Sequence, residues 1–296
     1  MEHQLWLALV AAVATLDQQR KPTICDFSDG DIVLVYYWAV LHDRPVLWAC
    51  QRRHWPIGQR RRAVPSPATL SRRLRSPSVQ ALLDALDRRV LAPEQPGLFW
   101  RIDGKPLPVG GCSKDRQAGY GRAAGGKAKG YKIHALVGAD AVIACWRLAP
   151  MHKDERVLAE RMLRTAPVQG YVVGDANYDA NNLHEVCDRR GDLQLVTPRR
   201  QGPQAGPPKG TGHRKQAAGR LRCLQLTGGP NPAFGQQLLR DRADIERRFG
   251  QWTNWGGGLT CLPAWVRTYR RVHRWVQAKL VLSALKRQHE IKTYAA

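Results

Sequence analysis

Apolar residues recur every three or four positions in residues 1–91, which is the spacing of amphipathic helices. The first apolar stretch, LWLALVAAVATL, predicts a buried first helix. It is too short to cross a bilayer and follows Glu2 and His3 instead of a basic segment. Two serine–proline pairs, Ser66-Pro67 and Ser76-Pro77, each place a capping hydroxyl before a proline suited to the first helical turn. They predict helices over 67–75 and 77–91.

The second of these helices has one apolar face, formed by Val79, Leu82, Leu83, Leu86 and Val90. The first is rich in arginine, and the joint between the two is tight. This pattern is typical of a helix-turn-helix that binds DNA, but an ordinary helical bundle has the same pattern. Residues 1–91 are therefore predicted to form a helical, helix-turn-helix-like DNA-binding region, with the bundle as the alternative.

The spacing changes after APEQPG (92–97), which is typical of a linker. Short apolar runs predict strands at 98–103, 131–137, 141–148, 171–175 and 193–197, and helical spacing predicts helices at about 153–165 and 179–190. Three strands followed by alternating helix and strand indicate an α/β domain with a mixed sheet and flanking helices, which we place at 98–290.

Two segments rich in Gly and Lys interrupt this pattern. Residues 110–130, followed by Lys132, hold Lys127 and Lys129 and are either a flexible hairpin connection or a mobile basic loop near a substrate backbone. Their glycines lack the strand–turn–helix context of a phosphate loop, which excludes a nucleotide-binding motif. Residues 199–219 form a long excursion, with a DNA clamp and a solvated loop as equal alternatives.

A helix near the C-terminus is predicted from an apolar stripe at Trp265, Tyr269, Val272, Val276 and Leu280. Four arginines are expected on the opposite face, where they could contact phosphates: Arg267, Arg270, Arg271 and Arg274.

The charge narrows the class of partner. The formal net charge is +23 and the pI about 10.4, and three long segments (44–83, 193–240 and 247–289) carry many Lys and Arg but no acid. A charge of this size favours a polyanion, because each phosphate that a protein neutralises releases counterions. A solvated surface explains one such segment, whereas three favour nucleic acid.

Seven cysteines are scattered without a C-x-x-C pair, which argues against a disulfide framework or a zinc ribbon and fits a reducing cytoplasm. A hydrophobic content of 43% with ten tryptophans is enough for a real core, so global disorder is excluded. No transmembrane segment or membrane partner is expected.

Three acids stand out in this basic chain. Asp103 and Asp175 each end a predicted strand, and Glu246 lies in a stretch with helical spacing. Because more than 70 residues separate each from the next, only a tertiary fold can bring them together. Three carboxylates facing one cavity would suit two Mg²⁺ ions, which prefer oxygen ligands and catalyse in-line displacement at phosphorus.

These motifs, taken in order, resemble those of the DDE transposases of bacterial insertion sequences, whose catalytic domain has an RNase H-like fold. The motifs are RIDGKPL, GYKIHALV, VVGDANYD and LRDRADIERRFGQW. The resemblance implies Asp103, Asp175 and Glu246 as catalytic metal ligands for Mg²⁺, with Mn²⁺ as the alternative ion. It also implies that Arg242 contacts DNA phosphate and that Asn177 and Tyr178 orient the turn after Asp175. His134 matches a position often occupied by His, with a core histidine as the alternative.

Departures from the family pattern occur around the glutamate. Leu239 and Thr253 stand where a Tyr and a Lys are usual, so either Arg247 or Arg248 takes over phosphate contact or this branch handles the flanking strand differently. Asp241 and Asp244 are competing acids, but only Glu246 stands at the matched distance from Arg242.

The function expected from the resemblance is a cytoplasmic bacterial DNA transposase, bound to the nucleoid when it holds DNA. It would cut insertion-sequence ends and join them to target DNA, acting on double-stranded DNA as a homodimer. Two alternatives stay open at this point: a catalytically inactive, domesticated DNA-binding derivative, and an RNase H-like nuclease that cuts without joining.

Overall fold

A computed structural model describes residues 2–20, 26–59, 63–92, 97–110, 113–138, 142–199, 217–242, 244–254 and 259–295. In chain order the helices are α1 (Glu2–Gln18), α2 (Asp29–Leu41), α3 (Val46–Ala49), α4 (Pro67–Arg73), α5 (Pro77–Leu91), α6 (Glu155–Thr165), α7 (Asn181–Arg190), α8 (Ala218–Gly228), α9 (Ala233–Asp241), α10 (Asp244–Asn254) and α11 (Tyr269–Ala295). The strands are β1 (Phe99–Pro108), β2 (Gly119–Ala123), β3 (Gly126–Val137), β4 (Ile143–Pro150), β5 (Gly170–Val173) and β6 (Leu193–Val196). The chain divides into a helical unit, residues 1–92 with 252–296, and a sheet-containing unit, residues 93–251.

Helices α4 and α5 begin where the serine–proline pairs predict. The Ser66 hydroxyl accepts a hydrogen bond from the Thr69 N–H (3.1 Å) at the start of α4, and Ser76 caps α5 in the same way. The predicted apolar face of α5 is buried, as are Leu5, Trp6 and Leu9 of α1. The predicted N-terminal helical region is therefore confirmed, whereas its role in DNA binding stays a prediction.

Helix α11 is buried on several sides, because it packs against α1, α2 and α5. Its polar residues inside the unit have partners: Lys279 Nζ donates to Asp43 Oδ1 (2.6 Å), and Gln277 Nε2 donates to Asp84 Oδ1 (3.0 Å). The structure thus groups α11 with the helical unit, whereas the sequence pattern extended the catalytic domain to residue 290. An apolar stripe does not show which neighbour it packs against.

Two features of the C-terminal stripe differ from expectation. Val272, Val276 and Leu280 are buried, but Trp265 lies before α11 and is 42% exposed. Arg274 is only 8% exposed, and its Nη1 donates to the Leu74 carbonyl. It therefore does not share an exposed face with Arg267, Arg270 and Arg271.

The sheet-containing unit has a six-stranded mixed sheet in the order β2-β3-β1-β5-β6, with β4 paired to β3. Strand β3 is antiparallel to β1, β2 and β4, whereas β5 is parallel to β1 and to β6. One apolar cluster joins the sheet to α6 and α7, and a second joins Val173 and Val196 to Cys223 of α8 and Leu238 of α9. This is the predicted RNase H-like mixed α/β arrangement with flanking helices.

The Gly- and Lys-rich segment is more ordered than expected, because it contains strand β2 and the start of β3. Gly130 pairs with Pro108 of β1, and a Cβ there would approach the Leu107 carbonyl oxygen to 2.3 Å. Strand β1 also continues to Pro108 instead of ending at residue 103. The predicted linker at 92–97 and the excursion at 199–219 fall mostly outside the described residues.

Candidate active site

Asp103 lies on β1, and Asp175 lies two residues beyond the end of the neighbouring parallel strand β5. The pairing of β1 with β5 ends at Arg101 opposite Val173, and each aspartate follows two residues later. Because side chains alternate along a strand, Asp103 faces the same side of the sheet as Arg101 and its partner Val173. Val173 belongs to the cluster with α8 and α9, so Asp103 faces the side of the sheet that those helices cover, and Asp175 is close enough for its charge to raise the pKa of Asp103.

The two carboxylates repel each other electrostatically. Burial, followed by the charges of Asp175 and Glu155, raises the pKa of Asp103 to about 6. The Gly104 N–H, which donates to Asp103 Oδ1 at 2.7 Å, and the charge of Arg242 act in the opposite direction. Asp103 therefore lies in a crowded acidic environment in which its ionised form is unfavourable.

Asp175 is oriented by the turn that follows β5. Its Oδ1 accepts from the Asn177 N–H (2.8 Å), and its Oδ2 accepts from Asn177 Nδ2 (3.2 Å). Tyr178 is buried in the apolar cluster beneath α6 and α7, and its pKa is raised by burial and by Glu155, Asp103 and Asp175. These contacts match the predicted role of Asn177 and Tyr178 in orienting the turn.

Glu155 is an acid of this site that sequence analysis missed. It occupies the first position of α6, after strand β4, and its carboxylate pairs with Lys132 Nζ. Because β4 and β1 are both antiparallel to β3, β4 runs parallel to β1, and its carboxyl end lies at the same edge as those of β1 and β5. An acid on β1 and an acid soon after each of β4 and β5 are the signal that could have revealed Glu155.

Lys132 is thus not simply an exposed lysine of a basic loop. Its side chain passes over Gly104, where an added Cβ would lie 2.8 Å from Lys132 Cδ and 3.0 Å from His134 Nδ1. His134 is buried, and burial, followed by the charge of Lys132, lowers its pKa to about 4. The structure therefore places His134 as a neutral, buried residue next to the strand that carries Asp103.

Arg242 approaches the aspartates from the junction of α9 and α10. Arg101 Nε donates to the Asp241 carbonyl (2.7 Å), which ties the end of α9 to strand β1 two residues before Asp103. Glu246 lies one turn after Arg242 on α10 and is exposed. Within the described residues, no three His, Cys, Asp or Glu side chains are arranged to hold a metal ion, so the role of Glu246 stays a prediction.

The remaining predicted DNA contacts lie in different settings. Lys127 Nζ lies 5.8 Å from the centre of the Tyr120 ring, and Lys129 Nζ donates to the Ser113 carbonyl (3.2 Å). Arg247 is exposed on α10, and the side chain of Arg248 falls outside the described residues. In the helical unit, Arg267, Arg270 and Arg271 are exposed.

Five cysteines have free thiols in the described part of the chain: Cys50, Cys145, Cys187, Cys223 and Cys261. None of the described helices combines the length and the apolar character that crossing a membrane requires.

Comparison with known proteins identifies the family. The model of the transposase DDE domain matches residues 99–281, which include all three predicted catalytic acids. A cryo-EM structure of a piggyBac transposase synaptic complex with hairpin DNA is similar over 98% of this chain and 73% of that chain, with 11% identity and a TM-score of 0.49. No curated protein matches the chain. Since the family match covers more than half of the sequence, the chain belongs to the transposase DDE domain family.

Proposed function

We propose that this transposase cuts the ends of a bacterial insertion sequence and joins them to target DNA, with Asp103, Asp175 and Glu246 as the catalytic carboxylates. The observation that carries the proposal is that Asp103 on β1 and Asp175 just beyond the end of the parallel strand β5 each follow the Arg101–Val173 pair by two residues. Arg101, two residues before Asp103, donates to the Asp241 carbonyl at the end of α9, the helix that precedes Glu246.

The residues present fit a hard divalent cation, which DDE transposases use in general. Aspartate and glutamate oxygens are the ligands that Mg²⁺ and Mn²⁺ prefer. The pKa of Asp103, already raised by burial, is raised further by Asp175 and Glu155, and a bound cation would remove this repulsion. Asp103 and Asp175 would hold the metal, with Glu246 supplied by α10. Two such ions, when bound, stabilise charge on the attacking and leaving oxygens of a phosphoryl transfer.

The chain's own residues position the DNA strand. Arg242 lies close enough to Asp103 to lower the pKa of that carboxyl, so a phosphate near the aspartates would also feel the Arg242 charge. A guanidinium binds phosphate oxygens through paired hydrogen bonds. No covalent protein–DNA intermediate is required, because the freed 3′-hydroxyl of the element end attacks the target phosphodiester directly.

Strand cleavage tests the carboxylate assignment. Asp103→Asn and Glu246→Gln should abolish cleavage of DNA that carries the element ends in Mg²⁺ or Mn²⁺, while binding of that DNA persists. Asp241→Asn is the matched control, because Asp241 is an exposed acid five residues before Glu246. Full cleavage by the Glu246→Gln protein, or its loss in Asp241→Asn, would refute the choice of Glu246.

A joining assay separates the proposal from its two alternatives. Given a pre-cut end with a free 3′-hydroxyl, the protein should insert that end into a plasmid, and EDTA should prevent the insertion. Cleavage without joining would identify an RNase H-like nuclease, whereas binding without either reaction would identify an inactive derivative.

The partners follow from the reaction. Two element ends must be held together, so we propose a homodimer on double-stranded DNA, in the bacterial cytoplasm and at the nucleoid. With a net charge of +23, affinity for DNA should fall steeply with salt concentration. Sedimentation of the protein with one and with two end fragments tests the dimer.

A further inference from the structure

The helical unit encloses a cavity that the predicted catalytic site does not use. Its volume is about 180 Å³, and its lining comes from α2, α3, α4 and α11 and from the segment before α11. Aromatic rings of Tyr36, Trp265 and Trp275 form part of the wall. Three arginines, Arg44, Arg271 and Arg274, also line it. Cavities that hold a single water need only about 10–15 Å³, so this one has room for a group of several heavy atoms.

Arg274 is the unusual member of this lining. It is 8% exposed, and its Nη1 donates to the Leu74 carbonyl, but its buried Nε has no hydrogen-bond partner. A guanidinium is effectively always charged and carries five donors. A buried charge without a counter-charge is unfavourable unless a partner is supplied.

The surroundings make this charge less favourable still. Burial lowers the pKa of Arg274, and the nearby charges of Arg271, Arg75 and Arg270 lower it further, whereas Tyr36 acts in the opposite direction. The described residues that line the cavity include no Asp or Glu. Two acids of the same unit already have partners elsewhere: Asp43 accepts from Lys279, and Asp84 accepts from Gln277.

We propose that this cavity binds one phosphate group of a DNA strand, with Arg44 and Arg271 as its ligands beside the buried charge of Arg274. The phosphate supplies the counter-charge that Arg274 lacks. The apolar and aromatic wall limits competition from water, which strengthens each charged hydrogen bond. The choice of DNA as the source of the phosphate rests on the proposed function, and the cavity would then hold the helical unit at a fixed place on the strand.

The affinity of the full-length protein for a labelled duplex, measured between about 50 and about 200 mM NaCl, tests the proposal. The double variant Arg44→Gln/Arg271→Gln removes two exposed ligands, and we expect its affinity to fall by at least about tenfold and its salt slope by about one. Arg88→Gln is the matched control, because Arg88 is an exposed arginine of the same unit outside the cavity lining. Affinity and slope equal to those of Arg88→Gln would overturn the proposal.

Arg274→Gln tests the buried charge, with circular dichroism to establish that the variant folds. If it does not fold, the double variant alone decides, since both of its positions are exposed. Thermal unfolding in inorganic phosphate, against NaCl of equal ionic strength, identifies the source of the anion. Phosphate should raise the unfolding temperature of the wild type but not of the double variant. If phosphate stabilises the wild type in this way but the double variant binds duplex as tightly as Arg88→Gln, the cavity binds free phosphate and the DNA assignment is wrong.

Failure of this proposal is distinguishable from failure of the proposed function. Asp103→Asn should lose strand cleavage and keep the cavity-dependent part of DNA binding. If the double variant cleaves and binds normally, only the phosphate cavity is refuted. If the Asp103→Asn protein still cleaves, only the catalytic assignment is refuted.

Discussion

Replacing Asp103 with asparagine should stabilise the metal-free protein at neutral pH while it destroys the site. The pKa of Asp103 is raised from 3.8 to about 6, chiefly by burial and then by Asp175 and Glu155. One pKa unit corresponds to about 1.4 kcal/mol, so holding the ionised carboxylate in the fold costs at most about 3 kcal/mol at pH above 6. Asparagine removes the charge and keeps an acceptor for the Gly104 N–H, and partial exposure of the position reduces the expected gain to about 2 kcal/mol.

The sign of the pH dependence follows from the raised pKa. The unfavourable contribution of Asp103 is fully present above about pH 6 and disappears as the pH falls from 6 to 3.8, because the folded protein binds the proton first. The gain in the Asp103→Asn variant should therefore be large near pH 7.5 and close to zero near pH 4. Added Mg²⁺ should make the wild type more stable than the Asp103→Asn variant, since a ligand at about 100 times its Kd stabilises the protein that binds it by about 2.7 kcal/mol.

Hydrogen exchange in EDTA, read on peptides from β1 and β3 by mass spectrometry, gives the opening free energy of the sheet-containing unit alone. Asp241→Asn serves as the control, because Asp241 is exposed and should give no gain at either pH. A variant that is less stable than wild type at pH 7.5, or whose gain persists unchanged at pH 4, would refute the assignment of Asp103 to a crowded acidic environment.

Three further predictions concern the residues around Asp103. The pKa of His134 is lowered from 6.5 to about 4, so protonation should remove up to about 3 kcal/mol of stability as the pH falls from 6.5 to 4; His134→Leu should abolish this loss in hydrogen exchange. Gly104→Ala should destabilise by about 1–3 kcal/mol, because its methyl would meet Lys132 and His134, whereas Gly110→Ala, with open space around it, should have little effect in the same measurement. Lys132→Gln should destabilise more than Lys132→Gln combined with Glu155→Gln, with a coupling energy of about 0.5–3 kcal/mol in a double-mutant cycle; additive effects would show that the ion pair contributes nothing.

Local chemistry predicted those elements whose signals lie within a few residues. Ser66-Pro67 and Ser76-Pro77 predicted the starts of α4 and α5, because a capping hydroxyl and a proline act on the adjacent turn. Strand β2 was missed because GYGRA has no apolar alternation, and its order comes from pairing with β3. The end of β1 was placed too early for the same reason, since residues 104–108 are strand only through their register with β3.

Helical spacing could not predict that α11 is buried against several neighbouring helices at once. Arg274 lies opposite the apolar stripe, which predicts exposure, but α11 is packed by α1, α2 and α5 together. A helix buried on several sides has no single solvent face. Spacing also could not reveal Glu155, whose place beside Asp103 depends on the direction in which β4 runs.

The crowded acids around Asp103 link two quantities that should change in opposite directions: the stability of the metal-free protein and the affinity of the proposed site for a cation. Among the described residues, Arg242 lowers the pKa of Asp103 and Lys132 pairs with Glu155. Even so, the pKa of Asp103 stays raised to about 6. If the proposed cation is held by these carboxylates, its binding would recover free energy that the fold loses by holding Asp103 ionised, because the cation offsets both the burial of the charge and the repulsion from its neighbours. Substitutions that stabilise the metal-free unit at Asp103 should therefore weaken cation binding by a comparable free energy.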